Sequence, residues 1–352
     1  MRALLGLLIL AAGMGTASAR TIGEKAVENH IRPAYQRLAT AMADLSTATN
    51  AYCAGGGDRA ALDAAFKQAV LGWSGVEHLR FGPMLADNRF ERFMFWPDPK
   101  SLGRKQLNAA LAQKDQTVLS PATLGEKSVA LQGLTAFEAL MWSGDAEGVT
   151  ASTPEDQAFA CQFAKSIAAH LTRVAAAVRD EWAVNDGFAA NLTAPGPEKL
   201  YHNDKEVTLE LFKAFTTGLQ QTRNAKLNRV LMGNPQEARP RRAAFWRSGN
   251  AVASIEANIE AIEDLYRNAG LGEIVKQAGT GEERSTLDQF DLIEKALDGL
   301  TGTPIADVTA SKPSWEKLNS VVFGLINIQV TGGQAIVTGA ALPMSFNALD
   351  GD

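Results

Sequence analysis

Apolar residues along this chain recur at steps of three and four, and no convincing run of strictly alternating polar and apolar residues is present. Steps of three and four place side chains on one face of an α-helix, whereas alternation would place them on one face of a strand. The pattern therefore predicts an all-α protein. The predicted helices cover about 27–45, 62–73, 102–111, 127–142, 154–182, 205–232, 241–269, 286–300 and 312–341.

The segment 185–197 is the best candidate for a linker, because it contains two glycines and two prolines. About four main helices are predicted on each side of it, which suits two antiparallel helical bundles. The length of the chain also exceeds what one hydrophobic core usually serves. We therefore expect an N-terminal bundle over 20–185, with a proline-rich loop, and a C-terminal bundle over 198–352.

The first 19 residues have the three parts of a secretory signal: the basic Arg2, an apolar stretch from Leu4 to Ala12, and small residues before Arg20. The apolar stretch is too short to span a bilayer. The pattern predicts a cleaved signal peptide (1–19), a periplasmic mature protein and no membrane anchor.

Removal of that signal takes away one basic residue, so that 33 Lys and Arg stand against 39 Asp and Glu, a formal charge of −6. A negative balance argues against nucleic acid or an anionic membrane as the main partner. The two cysteines, Cys53 and Cys161, predict a disulfide in an oxidising compartment rather than a metal site.

A carboxylate interrupts one of the apolar stripes. Leu131, Leu134, Glu138 and Met141 share one helix face, so Glu138 is predicted to lie among side chains that pack inward. A buried carboxylate needs a cation, a metal or several hydrogen-bond donors around it. Glu138 is therefore a candidate site residue.

Other charged residues also extend apolar stripes. The stripe that ends at Trp73 continues with the same spacing to Glu77 and Arg80. These two residues form a buried ion pair at the end of a bundle, or they lie in water because the helix has already left the core. His78 lies beside them and is a metal-ligand candidate, although a lone histidine is more often structural.

The second half of the chain shows the same feature. Arg223 and Lys226 follow the stripe of Phe215 and Leu219, either facing an anionic centre or extending from the bundle edge. Arg247 and Asn258 belong to a separate polar face of the next predicted helix, which would border a ligand or only solvent. No HExxH, P-loop, dinucleotide-binding, GxSxG or CxxC motif is present.

The segment Gly133-Leu134-Thr135-Ala136-Phe137-Glu138 resembles the GxHxxE motif of the imelysin-like (peptidase M75) family. Four further segments add to this resemblance: GWSGVEHLRFGP (72–83), RFMFWPDP, FWRSG and the C-terminal SFNALDGD. The resemblance covers nearly the whole mature chain. It implies two helical bundles packed face to face, with a site between them. It also implies a link to iron acquisition and a metal, haem or other ligand.

From this resemblance, and because Thr135 stands at the position of the motif histidine, we expect a noncatalytic periplasmic binding or accessory protein of iron acquisition, with Glu138 as the central acceptor and Thr135 as its neighbour. Trp96 and Asp98 on the proline-rich loop would close the cleft. Arg80, Arg223, Lys226 and Arg247 would supply the charge partners, and iron-uptake components or a small ligand would be the partners.

The motif histidine is replaced by Thr135, which departs from the family pattern. Threonine is a weak ligand for divalent metals and a poor base near neutral pH, so a divalent metal or iron would need replacement ligands such as Glu77, His78 or Asp98. Two alternatives remain: a metal-dependent peptidase of the M75 type, and a structural or interaction protein of the cell envelope.

Overall fold

The computed structural model describes residues 20–142, 153–279 and 281–343, and all regular structure within these ranges is helical. The prediction of an all-α fold is confirmed. The predicted signal peptide (1–19) and the C-terminal SFNALDGD segment lie outside the described residues. The helices before the predicted linker are α1 (Ile22–Lys25), α2 (Arg32–Cys53), α3 (Arg59–Ser74), α4 (Arg89–Phe93), α5 (Leu102–Ala112), α6 (Pro121–Leu124), α7 (Leu134–Met141) and α8 (Pro154–Ala183).

The remaining α-helices begin within the predicted linker and continue to residue 339. They are α9 (Ala190–Thr193), α10 (Asp204–Gln221), α11 (Arg229–Leu231), α12 (Ala251–Asn268), α13 (Leu271–Ala278), α14 (Glu282–Leu297), α15 (Ile305–Ala310) and α16 (Lys312–Gly339). The sequence pattern did not predict α13 and α15 as separate helices, because both are short.

Two segments of π-helix interrupt the long helices. Ala26–Ile31 joins α1 to α2, directly before Pro33, and Thr222–Asn228 joins α10 to α11. Proline has no N–H to donate within a helix, and the wider π-turn before it accommodates the chain. The helical path therefore continues through Pro33, within the first helix predicted over about 27–45.

The predicted helix over 127–142 begins later than expected. A 3₁₀ turn covers Val129–Leu131, and α7 starts after Gly133, whose backbone is extended. A Cβ atom at Gly133 would lie 2.6 Å from the carbonyl oxygen of Phe93. Glycine thus allows the start of α7 to approach the end of α4.

The predicted helix over 241–269 was wrong in its first third. Residues before Ala251 form turns, with Phe245 at φ 57° and Gly249 at φ 74°, and both values lie in the left-handed region that an α-helix excludes. The apolar side chain of Phe245 is nevertheless buried. The position of Phe245 in the sequence fits a helical spacing, but its side chain reaches the core from a turn.

The most extensive helix contacts are those of α2 with α3 and α8, and those of α14 with α16. Helix α12 packs against α3 and the π-segment 26–31 and so joins the two predicted halves. Buried apolar side chains from both halves form one continuous cluster. The division into two domains at 185–197 stays a prediction.

Within the described residues, α16 is the one helix long and apolar enough to cross a membrane by length and composition. Half of its most apolar window is buried inside the protein. Packing against α14 and α13 therefore accounts for its apolar character, and the predicted absence of a membrane anchor stays a prediction.

The predicted disulfide is confirmed: Cys53 at the end of α2 is bonded to Cys161 in α8, with their Cα atoms 5.7 Å apart. The two cysteines are 108 residues apart in sequence. The bond therefore closes a long loop and ties together two helices that already pack along their length.

Replacement of both cysteines, Cys53→Ala with Cys161→Ala, is expected to lower the free energy of unfolding by about 2–4 kcal/mol, because the unfolded chain regains the freedom that the loop removes. Urea unfolding monitored by circular dichroism measures the change. Wild-type protein treated with reductant should match the double variant. A variant as stable as the oxidised wild type would contradict the expectation.

Candidate functional site

Glu138 is buried in α7, as predicted, with 2% of its surface exposed. Its Oε1 accepts a hydrogen bond from the backbone N–H of Ser248 at 2.9 Å and another from the Ser248 hydroxyl at 2.7 Å. Ser248 belongs to the turns before α12, in the segment that had been predicted as helix. The carboxylate thus connects α7 to a loop more than 100 residues away.

Burial raises the pKa of Glu138 above its usual value. Four interactions oppose this effect: the two hydrogen bonds from Ser248, the positive charge of Arg247, and a hydrogen bond from the Arg247 backbone. Donors and a cation therefore surround this carboxylate, as a buried carboxylate requires.

Glu138 lies at the wall of a cleft with a volume of about 450 Å³. The walls come from the proline-rich loop and the start of α5, from α7, and from the turns between α11 and α12. The cleft brings together five of the residues predicted for the site: Trp96, Asp98, Thr135, Glu138 and Arg247. A volume of this size lies within the usual range of small-molecule sites, about 300–1,000 Å³.

Arginine is the most frequent charged residue of the cleft. Five arginines line it, against two carboxylates, which gives a local formal charge of +3 in a chain whose formal charge is −5. The arginines are Arg104, Arg229, Arg241, Arg242 and Arg247. The guanidinium groups of Arg247 and Arg241 lie 4.5 and 5.7 Å from the centre of the Trp246 ring.

Asp98, the second carboxylate of the cleft, has a local structural task. Its two oxygens accept the backbone N–H groups of Leu102 and Gly103, at 2.8 and 2.7 Å, at the beginning of α5. These N–H groups have no partner within the helix, and a carboxylate at this end is favourable. Asp98 thus fixes the start of α5, from which Arg104 extends.

Three other predicted site residues, Glu77, Lys226 and Asn258, form a buried network instead of lining the cleft. Lys226 Nζ lies 2.6 Å from Glu77 Oε2, and both residues are at most 3% exposed. The ammonium also donates to Ser254 and Asn258, at 2.8 and 2.5 Å. Burial lowers the pKa of Lys226, and the charge of Glu77 opposes this shift.

The network also satisfies the carboxylate. Glu77 accepts further hydrogen bonds from Gln221 at 2.9 Å and from the Asn258 amide at 3.1 Å. Glu77 lies just after α3, Lys226 in the π-segment 222–228, and Asn258 in α12. The ion pair therefore joins three elements from the two predicted halves.

His78, a metal-ligand candidate, forms a chain with His30 and Asp264. The Nε2 atoms of the two histidines lie 2.8 Å apart, and His30 Nδ1 lies 2.5 Å from a carboxylate oxygen of Asp264. Burial is the main cause that lowers the pKa of His78, and the nearby His30 lowers it further. This chain belongs to the packing of the first helix against α12.

The remaining charged candidates, Arg80 and Arg223, do not line the cleft. The Arg80 guanidinium lies 4.2 Å from the centre of the Phe90 ring, and Arg223 donates to Gln329 of α16 at 3.0 Å. Their predicted role as charge partners of a ligand stays a prediction.

The donor set of the cleft does not fit a metal ion. Thr135 and Glu138 lie one helical turn apart, but Glu138 Oε1 accepts two hydrogen bonds from Ser248, and the other charged groups around it are mainly guanidiniums. In residues 20–142, 153–279 and 281–343, no group of three or more His, Cys, Asp or Glu side chains is arranged to hold a metal. We therefore derive no metal-dependent step for this cleft.

Comparison with known proteins places the chain in a family. The imelysin (peptidase M75) family model matches residues 31–322, most of the chain and including the helix with Glu138. The chain belongs to the imelysin family. A comparison with curated proteins found no match.

Two solved structures share the imelysin fold with this chain. An imelysin-like protein from Psychrobacter arcticus 273-4 has a TM-score of 0.68 and 16% identity, covering 92% of this chain and 96% of that chain. A protein from Parabacteroides distasonis ATCC 8503, described as an iron-regulated protein A precursor, has a TM-score of 0.72 and 13% identity, covering 90% and 94%.

Sequence reasoning missed most of the arginines of this imelysin's cleft. Arg241 and Arg242 lie in a 3₁₀ turn that had been included in a predicted helix, and Arg229 lies at the beginning of α11. A signal was present: the segment 239–247 contains four arginines and a proline, a composition that favours a charged loop over a buried helix. Ser248, the partner of Glu138, lies in the FWRSG segment, but nothing in the sequence indicated that it meets Glu138.

The buried ion pair generates a stability prediction. Lys226→Ala leaves Glu77 buried without a cation and is expected to lower the free energy of unfolding by about 3–5 kcal/mol. The double variant Glu77→Gln with Lys226→Met removes both charges and should be clearly more stable than Lys226→Ala. Urea unfolding of both variants measures this order. A double variant less stable than Lys226→Ala would contradict the expected penalty of leaving Glu77 buried without a cation.

Glu138 has a corresponding expectation. Glu138→Ala removes the acceptor of both Ser248 hydrogen bonds and is expected to cost about 3 kcal/mol of unfolding free energy. Glu138→Gln keeps an acceptor oxygen and should cost less than half as much. Chemical unfolding at neutral pH is the measurement. An alanine variant within about 0.5 kcal/mol of wild type would indicate a solvent-exposed carboxylate.

Proposed function

We propose that this imelysin-family protein is a noncatalytic binding or accessory protein of iron acquisition in the periplasm, and that the cleft beside Glu138 holds a small ligand. The observation that carries the proposal is the construction of the cleft. Its 450 Å³ are lined by aromatic and cationic side chains, and its one buried carboxylate is already engaged by Ser248. Such a surface suits recognition of a ligand.

The proposed link to iron acquisition and the proposed export of the protein are supported by a relative and by the N-terminal sequence rather than by the cleft. The relative from Parabacteroides distasonis is described as iron-regulated and as a precursor, and the first 19 residues of this chain have the pattern of a secretory signal. A periplasmic protein that takes up or presents a ligand for iron acquisition agrees with both.

A metal-dependent peptidase is the rival reading. It requires a metal with an open coordination position and an activated water. Thr135 stands where the family motif has histidine, and threonine supplies neither a strong ligand nor a base. The cleft also contributes no histidine.

The decisive experiment combines three measurements on protein purified from the periplasm of an iron-limited culture. Native mass spectrometry is expected to show one small molecule bound to each chain. Metal analysis after dialysis should show far less than one zinc or iron per chain, and denatured protein substrates should show no chelator-sensitive cleavage.

The matched variant is Thr135→His, which restores the motif imidazole one turn from Glu138. It is expected to raise the affinity for zinc, measured by calorimetric titration, relative to the wild type. Tight one-to-one zinc binding by the wild type, together with chelator-sensitive cleavage, would establish the peptidase instead. A protein with no bound molecule and no cleavage would favour a structural role.

A further inference from the structure

We infer that the ligand of this cleft is a polyanion, a small molecule with at least two oxyanion groups such as carboxylates or phosphates. This inference rests on the proposed function, because it specifies the ligand of the same cleft. It starts from the charges that the cleft leaves uncompensated.

The two carboxylates of the cleft are already engaged inside the protein. Asp98 accepts the N–H groups at the start of α5, and Glu138 accepts Ser248 and lies beside the charge of Arg247. Neither carboxylate therefore neutralises the guanidiniums of Arg104 and Arg229. Within the described residues, the guanidinium groups of these two arginines form no hydrogen bond or ion pair.

Arg104 and Arg229 reach the cleft from different elements. Arg104 lies in the first turn of α5, which Asp98 fixes, and Arg229 begins α11, directly after the π-segment anchored by Lys226. Both positions are held by internal hydrogen bonds of neighbouring residues, so the two charges are carried on fixed elements. Arg242, exposed in the 3₁₀ turn 240–242, adds a third cation to the same cleft.

Cations on different walls favour a ligand with more than one anionic group, because each group can meet a separate guanidinium. Guanidinium binds carboxylate and phosphate oxygens through two parallel hydrogen bonds, and it remains charged at every physiological pH. A bare cation is disfavoured by the local charge of +3. A simple monoanion could meet only one of Arg104 and Arg229, because these two arginines lie on different elements.

The negative overall charge of the protein makes binding of a polyanion a specific test of the cleft. The chain carries a formal charge of −5, so general attraction of anions to its surface is not expected. Binding of a polyanion would therefore report the arginines of the cleft rather than the whole surface. Its affinity should fall as salt concentration rises, because exposed charges are screened over about 10 Å at 0.1 M salt.

Calorimetric titration of the mature protein with citrate, pyrophosphate and acetate is the test. Citrate or pyrophosphate is expected to bind one to one and at least about tenfold more tightly than acetate, because a second oxyanion group can meet a second guanidinium. Binding of citrate alone assigns a polycarboxylate, and binding of pyrophosphate alone assigns a phosphate ligand. Binding of neither polyanion at millimolar concentration overturns the inference.

Two cleft variants and one control locate the site. Arg104→Gln and Arg229→Gln are each expected to weaken binding roughly tenfold. Arg284→Gln should leave it unchanged, because Arg284 is an exposed residue of α14 paired with Asp288. Urea unfolding should show equal stability for all three variants. Unchanged affinity in both cleft variants would place the anion elsewhere and overturn the inference.

The failure of this inference is distinguishable from the failure of the proposed function. If native mass spectrometry finds a neutral or cationic molecule bound, and Trp96→Ala releases it, the cleft is a ligand site but the inference that its ligand is a polyanion is wrong. If neither polyanion binds and no molecule is found with the purified protein, both proposals fail.

Discussion

The buried ion pair of Glu77 and Lys226 is the interaction on which the arrangement of the two halves depends. Two charges that are almost completely removed from water are tolerated only when each one is paired and hydrogen-bonded. Here the partners come from the end of α3, the π-segment 222–228 and α12, so satisfying the charges requires these three elements to meet. A shift of any of them would leave a charge buried alone.

Close packing next to this network supports the same geometry. A Cβ atom at Gly218 of α10 would lie 2.9 Å from the Cβ of His78 and equally near Ile262 of α12, so glycine permits the approach of the helices. The chain of Asp264, His30 and His78 crosses the same region. Both π-segments carry one of these inward-facing polar residues, His30 in one and Lys226 in the other. Local π-turns of this kind often occur where a helix presents a functional or buried polar side chain.

The cleft lies next to this buried network but differs from it in the balance of its charges. The buried network pairs its charges internally, whereas five arginines and only two carboxylates line the cleft. Arg229 follows directly on the segment that Lys226 anchors, and Arg104 follows the helix start that Asp98 holds. Asp98 and the side chains of the buried network fix the positions of neighbouring elements, and the arginines line the cleft. Glu77, Lys226 and Asn258, which were predicted as ligand-binding residues, thus lie in the buried network next to the element that carries Arg229.

The sequence by itself determined the helical class, the disulfide partners and the burial of Glu138, because each depends on local periodicity or on a pair of cysteines. It did not determine which charged residues meet. Glu77, Lys226 and Asn258 looked like a ligand site because a charge on an apolar stripe has the same pattern whether its partner is a ligand or another part of the chain. Only the tertiary structure decided this, since the partners are about 150 to 180 residues apart. It also decided that the segment before α12 turns back to bring Ser248 to Glu138 and arginines into the cleft, because hydrogen bonds between distant segments outweighed the helical spacing there.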